Sequence, residues 1–174
     1  MPPEALPSDL TERVRAGDRA AMEHLFRALH PALVRYARSL ADGGAAEDAV
    51  QDAFVALWRR RTDLDPGRSV RALLFTAVRN KLLNRSRDAA RRRELLSGMD
   101  APDRPPLPDA ETAAALLAGH VRAGLAALPD RQREAFGLSR YDGLGYAEIA
   151  DVMGCSVKTG ENHARVAVTR VAPK

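Results

Sequence analysis

This 174-residue sequence predicts an all-α protein made of two small helical domains, and three observations carry the prediction. Ala, Leu and Arg abound while aromatics make up only 5%, a mixture rich in helix formers and poor in the residues that strands favour. Apolar side chains recur three and four residues apart in successive stretches, the period of one helix face. Between two such regions lies Ser97–Pro108 (SGMDAPDRPPLP), which holds four of the eleven prolines and sustains neither helix nor strand. The expected organisation is residues 1–96, a Pro-rich linker at 97–108, and residues 109–174, the second domain carrying a helix-turn-helix.

The first elements follow from caps and spacing. Ser8 caps a short helix that ends at Gly17, and Asp18 caps a second that carries Met22, Leu25, Phe26 and Leu29. Pro31 either kinks that helix or begins a new piece with Leu33, Val34, Ala37 and Leu40, which Gly43 and Gly44 end. A third helix, about 45–60, buries Val50, Phe54, Leu57 and Trp58 on one stripe. Its Asp48, Asp52, Val55 and Arg59 share another face, and two faces imply two partners. After the turn Asp63–Gly67, Ser69 caps a long fourth helix to about Arg93. There Val70, Leu73, Leu74, Ala77, Val78 and Leu82 form the apolar stripe, while Asn80, Asn84, Arg87 and Arg91 make one continuous polar and basic face.

Beyond the linker, Asp109 begins an alanine-rich helix to about Leu128, and Pro129 with Asp130 opens another that ends near Tyr141. Two shorter helices, Tyr146–Met153 and Ser156 to about Arg170, are separated by Gly154 and Cys155. This is helix-turn-helix spacing. Ala150 is the small residue at the crossing and Gly154 makes the turn, while Ile149, Met153, Cys155 and Val157 pin the second helix onto the first. Ser156 then caps a helix whose first turn, with Lys158, Thr159, Asn162 and His163, can reach a major groove. Gly160 stands where a branched apolar residue is expected. It loses roughly 1.5–3 kcal/mol of burial and about 1 kcal/mol of helix propensity, so Gly160→Val is expected to stabilise this domain.

Charge supports a polyanionic partner. The chain holds 27 basic and 23 acidic residues, net +4; residues 1–96 hold 18 and 13 of them, and residues 129–174 hold 7 and 6. The single cysteine, Cys155, leaves no internal disulfide, and no second Cys stands at zinc-ligand spacing with the four histidines, so no metal or cofactor is expected and a reducing cytoplasm fits. No apolar run approaches the roughly 20 residues that span a bilayer, and Met1–Ser8 lacks the apolar core of a signal peptide. Neither export nor membrane insertion is expected. No Gly-rich phosphate loop or paired nucleophile points to catalysis. Asp63 and Asp65 could hold magnesium, but beside a Pro-Gly turn aspartate is common for turn chemistry alone.

Three stretches in this order resemble the extracytoplasmic-function sigma factors, the small two-domain initiation subunits of bacterial RNA polymerase. Ala46–Trp58 (AEDAVQDAFVALW) looks like the family's second region, Leu74–Asn84 (LFTAVRNKLLN) is similar to its promoter-melting segment, and Leu128–His163 is similar to its fourth region. The resemblance implies core RNA polymerase and promoter DNA as partners, and admits an anti-sigma protein that covers the polymerase-binding faces. It implies polymerase docking by Asp48, Gln51, Asp52 and Val55. Minus-ten contacts would come from Asn80 and Asn84 at base edges, with Lys81, Arg85, Arg87, Arg91, Arg92 and Arg93 on phosphates. Minus-thirty-five contacts would come from Lys158, Thr159, Asn162, His163 and Arg165. The loop Thr62–Arg68 resembles the segment that holds a base flipped from the melted strand, without an aromatic platform. Two departures, Gly160 and a sparsely basic tail Val168–Lys174, imply weak binding at the minus-thirty-five element. The segment Ser156–His163 also looks like response-regulator output domains, so a stand-alone helix-turn-helix regulator is a second reading.

Overall fold

Helices account for every regular element in the computed structural model, which describes residues 6–96, with side chains through residue 92, and residues 123–171. The Pro-rich stretch 97–108, most of the helix expected from Asp109, the Arg93 side chain and the last three residues lie outside the described residues. In order come α1 (Leu10–Arg15), α2 (Arg19–Leu40), α3 (Gly43–Arg59), a 3-10 turn (Arg61–Asp63) and α4 (Val70–Leu96). Residues 123–126 are helical, followed by α5 (Asp130–Arg140), α6 (Tyr146–Met153) and α7 (Val157–Val171).

Asp9, not Ser8, precedes α1 as its N-cap. Gly17 takes φ +86 to turn the chain into α2, a left-handed conformation that glycine adopts without steric cost. Asp18 caps α2 as expected: one carboxylate oxygen accepts from the Ala20 and Ala21 amides at 2.8 and 3.1 Å, and Arg13 pairs with the other at 2.8 Å. These bonds, the one from Ala21 foremost and then that from Arg13, hold the carboxyl below its ordinary range.

Pro31 does not divide α2, which runs through it for 22 residues. An interior proline costs about 3 kcal/mol in an isolated helix. Here Leu25 and Leu29 before it, and Leu33, Tyr36 and Ala37 after it, are all buried, and their packing outweighs the lost hydrogen bond. The break comes instead at Ala41 and Asp42, whose backbones are extended, so Gly43 and Gly44 begin α3 rather than end α2. First-turn amides have no intrahelical partner, which makes glycine least costly there.

The apolar stripe of α4 also differs from expectation. Val70, Leu74, Val78 and Leu82 are buried, but Leu73 is 46% exposed while Ala72 and Phe75 are buried. A one-stripe reading assumes one packing partner. Helix α4 has α2 and α3 on one side and α6 on the other, and Phe75 packs its ring against Tyr36 at 5.2 Å.

In the second half α5 and α6 both pack on α7. Arg133 closes the helical residues before it, donating to the carbonyls of Leu125 (2.8 Å), Ala126 (3.1 Å) and Leu128 (2.7 Å). The Pro-rich linker allows many relative placements of the two halves by sequence alone. In the structure they meet: Ala135, Leu138, Leu144, Ile149, Val152, Met153 and Ala164 belong to the same continuous core as α1–α4. Leu128, Phe136, Ala167 and Val171 form a separate, smaller cluster.

Candidate functional site

The helix-turn-helix is built as its spacing requires, with two differences. Gly154 adopts φ +62, and the Cys155 amide donates to the Ala150 carbonyl at 3.0 Å, which closes α6. At the other end of α6, Glu148 accepts from the Gly145 amide at 2.9 Å. Ser156 caps α7 by accepting from the Thr159 amide at 3.2 Å. Ile149, Ala150 and Met153 are buried as expected and Cys155 is half-buried, but Val157 is exposed and does not pin the two helices. One residue past the cap, its side chain faces away from α6.

Gly160 overturns the expectation placed on it. It is buried at the crossing of α6 and α7, and a Cβ there would lie 3.3 Å from the Ala150 amide nitrogen and 3.4 Å from the Tyr146 carbonyl oxygen. No pocket waits for a branched side chain; the glycine is what lets the two backbones approach. Its low helix propensity is offset by close packing.

Along the outer surface of α7, Lys158, Asn162 and Arg165 are exposed, whereas Thr159 and His163 are half-buried. The Thr159 hydroxyl lies 2.8 Å from that of Ser156, which ties it to the cap. His163 keeps Nδ1 buried and without a hydrogen-bond partner among the described residues.

On α4 the expected polar face is present: Asn80, Asn84, Arg85, Arg87, Arg91 and Arg92 are exposed. Lys81 is half-buried and paired with Asp52 of α3, and Arg85 lies 3.7 Å from Asp48. The Lys81 ammonium, by hydrogen bond and charge, holds the Asp52 carboxyl below its ordinary range. Asp48, Gln51, Asp52 and Val55 share one exposed face of α3, Val55 being 47% exposed amid charge. The two expected surfaces therefore adjoin, and two ion pairs join them.

Asp65 turns the loop after α3 by accepting from the Gly67 amide at 2.8 Å, and Asp63 lies 3.4 Å from Arg60. Turn chemistry accounts for Asp65, and pairing with Arg60 for Asp63. Among the described residues no group of three potential ligands could hold a metal ion. No described helix is long and apolar enough to cross a membrane.

A polar cluster between the halves was not legible in the sequence. Arg79 of α4 donates to both oxygens of Glu134 of α5 at 2.7 and 3.2 Å, and the Tyr36 hydroxyl donates to the same carboxylate at 2.7 Å. The Arg79 and Glu134 side chains are only 13% and 9% exposed. Burial first, then the Glu134 charge, pushes the Tyr36 hydroxyl well above its ordinary range. Nearby, Asp142 is 3% exposed; Arg35 donates to its carboxylate at 2.5 Å and to the Tyr141 carbonyl at 3.1 Å, and Arg71 donates to its main-chain carbonyl. Burial raises the Asp142 carboxyl against the opposing pull of Arg35. Ser69 and Glu148 add a bond at 2.5 Å. No periodicity marks these residues, because each is polar on a surface that is covered only when the halves meet.

The comparisons with known proteins follow the same division. Residues 25–92 match the family model of sigma-70 region 2, and residues 121–170 match that of sigma-70 region 4. The RNA polymerase sigma factor CnrH of Cupriavidus metallidurans is 33% identical over 172 residues, spanning 92% of this chain and 90% of that protein. The ECF RNA polymerase sigma factor SigL of Mycobacterium tuberculosis is 34% identical over 161 residues, spanning 88% and 90%. CnrH in complex with the cytosolic domain of CnrY superposes with a TM-score of 0.64 at 30% identity, covering 96% of this chain and 95% of that one. The sigma factor RpoE in complex with the anti-sigma factor NepR from Bartonella quintana gives 0.63 at 25% identity, covering 86% and 92%. A stand-alone regulator is not favoured, since the likeness takes in region 2 as well as the helix-turn-helix. With region 2 and region 4 in order and relatives matched over nearly their whole length, the chain belongs to the sigma-70 family as an extracytoplasmic-function sigma factor, a transcription initiation factor that works with core RNA polymerase on promoter DNA.

Proposed function

We propose that the labour of initiation is divided between the halves. Residues 1–96 dock on core polymerase through Asp48, Gln51, Asp52 and Val55, a face whose mix of charge and exposed apolar surface suits a specific interface. The same half contacts the minus-ten element and assists melting: Asn80 and Asn84 meet base edges, and Lys81, Arg85, Arg87, Arg91, Arg92 and Arg93 meet phosphates. Residues 109–174 read the minus-thirty-five element through Lys158, Thr159, Asn162, His163 and Arg165, with 97–108 as the linker. The observation that carries this reading is the exposed α4 face, where Asn80, Asn84, Arg87 and Arg91 follow one another at helical spacing and Asp88 is the one acidic residue beside them. The protein acts by binding and not by catalysis, in the cytoplasm. An anti-sigma protein of the kind seen with its structural relatives is the natural inhibitor of both docking surfaces.

In vitro transcription with purified core polymerase on a promoter library tests the assignment. Initiation at a defined promoter class is expected, Asn80→Ala with Asn84→Ala relaxing preference at the minus-ten bases. Arg87→Ala should weaken all promoters alike and lower the salt slope by about one, as loss of one phosphate contact does. Failure to form any initiation complex, or tight duplex binding without polymerase, would overturn the reading.

A further inference from the structure

Helix α7, the second helix of the helix-turn-helix, carries an acid on its exposed surface. Gly160, Ala164, Ala167 and Val171 form its buried stripe and face the rest of the protein. Outside that stripe Val157, Glu161 and Arg165 are exposed in a row, four residues apart, next to Lys158 and Asn162. Lys158 and Arg165 stand three and four residues from Glu161, the spacing of helical ion pairs. Yet the Glu161 side chain makes no hydrogen bond or ion pair with any described residue. The hydroxyls of Ser156 and Thr159, by contrast, are engaged with each other at the cap.

We infer that Glu161 selects a cytosine in the minus-thirty-five element, and that Val157, one turn earlier, lies against the methyl group of a neighbouring thymine. This rests on the proposal above that α7 reads that element. A carboxylate brought to a duplex is repelled by its phosphates. Glu161 nevertheless stands among the N-terminal residues of the recognition helix, the ones that contact base edges, so it needs a base that attracts it. An ionised carboxylate only accepts hydrogen bonds. In the major groove cytosine N4 and adenine N6 offer it donors, but adenine sets the N7 acceptor beside its donor. Cytosine therefore suits it best. Val157 is 52% exposed, and the thymine methyl is the apolar group that a major groove presents to such a side chain. A helical turn advances about 5.4 Å and a base step about 3.4 Å, so the two bases fall within about two pairs of each other. Readout by base edge also fits residues 129–174, whose 7 basic and 6 acidic residues supply little net attraction to phosphate.

The test uses the full-length chain with core polymerase on a promoter library randomised across the minus-thirty-five positions, each promoter scored by its transcript. The unaltered factor should favour cytosine at one position by about tenfold. Glu161→Gln should abolish that preference or move it to adenine, whose N6 and N7 a glutamine amide can pair with, and should leave the other positions as they were. On the best promoter of the unaltered factor the variant should be about tenfold weaker, although it has lost a negative charge. An acid that only faces solvent predicts the opposite sign. Glu161→Gln would then strengthen all promoters alike with every preference kept, and that result would overturn the inference. Replacing the neighbouring thymine by deoxyuridine, which lacks only the methyl, should weaken the unaltered factor several-fold and leave Val157→Ala unaffected. Equal responses of the two proteins would overturn the thymine contact. Absence of any preference at these positions in the unaltered holoenzyme would overturn the reading of the element by α7, and Glu161 with it; a cytosine preference that survives Glu161→Gln overturns Glu161 alone.

Discussion

Helices α1–α4 and α5–α7 bury their apolar residues in different ways. The first half encloses its own core, with Leu25, Leu33, Val50, Phe54, Leu74 and Val78 drawn from three long helices that cover one another. Among the described residues the second half has a cluster of its own of four buried residues, Leu128, Phe136, Ala167 and Val171, and shares its other buried side chains with the core of α1–α4. Leu138, Leu144 and Ile149 would each lose roughly 1.5–3 kcal/mol if the neighbour withdrew and left them exposed. A domain so small buries little by itself. Its stability is therefore tied to contact between the halves in a way that the first half's is not.

Phe75 gives the most direct way to break that comparison. It is fully buried on α4, its ring against Tyr36 of α2, within the core that second-half residues also join. Phe75→Ala should cost about 3–5 kcal/mol, which for a chain of this size lowers Tm by roughly 10 °C. The decisive feature in calorimetry is cooperativity. If the halves share one core, the whole transition moves together; a fixed second transition beside a shifted first one would show that they unfold independently.

Gly160 tests the second half alone. The spacing of apolar residues predicts a vacant place for a branched side chain, but a Cβ at this position already presses on the α6 backbone at 3.3 Å. Gly160→Val adds two more methyl groups where backbone must give way, and should destabilise by about 1–3 kcal/mol. Gly160→Ala should cost less, since about 1 kcal/mol of helix propensity opposes the strain. Thermal melts of the pair settle the order; a higher Tm for the valine variant would restore the pocket reading and remove the close crossing.

Why one position misleads and another does not is a matter of range. The α6 boundaries and the caps at Asp18, Ser69 and Ser156 are local chemistry, and the sequence predicts each of them. So is the exposed α4 face, because a basic stripe needs no partner to be recognised. Leu73 and Phe75 exchange roles because a second helix covers α4, and Pro31 is absorbed because packing on both sides of it outweighs propensity. Gly160 looks deficient until the opposing backbone is in place. Glu134 and Asp142 look like surface acids until the first half supplies Arg79 and Arg35. Each of these depends on a contact made far along the chain.

Acid sensitivity distinguishes the halves most finely, since Asp18 and Asp52 of the first are shifted down and Asp142 of the second is shifted up. Asp18 of the first half is held below its ordinary value, first by the Ala21 amide and then by Arg13. A lowered folded-state pKa means stability that is present above the unfolded value near 3.8 and is lost as pH falls through the folded one. Asp142 of the second half is raised, burial outweighing Arg35. Its contribution is full below 3.8 and is lost as pH rises through the raised value. Asp18→Asn should therefore gain on the unaltered protein as pH falls below about 4, and Asp142→Asn should gain as pH climbs above it. Urea unfolding of both variants from pH 3 to pH 7 gives two difference curves of opposite slope. Two curves of the same slope would mean that Arg35 holds the Asp142 carboxylate more strongly than burial opposes it, and that the charge stabilises the contact between the halves at neutral pH.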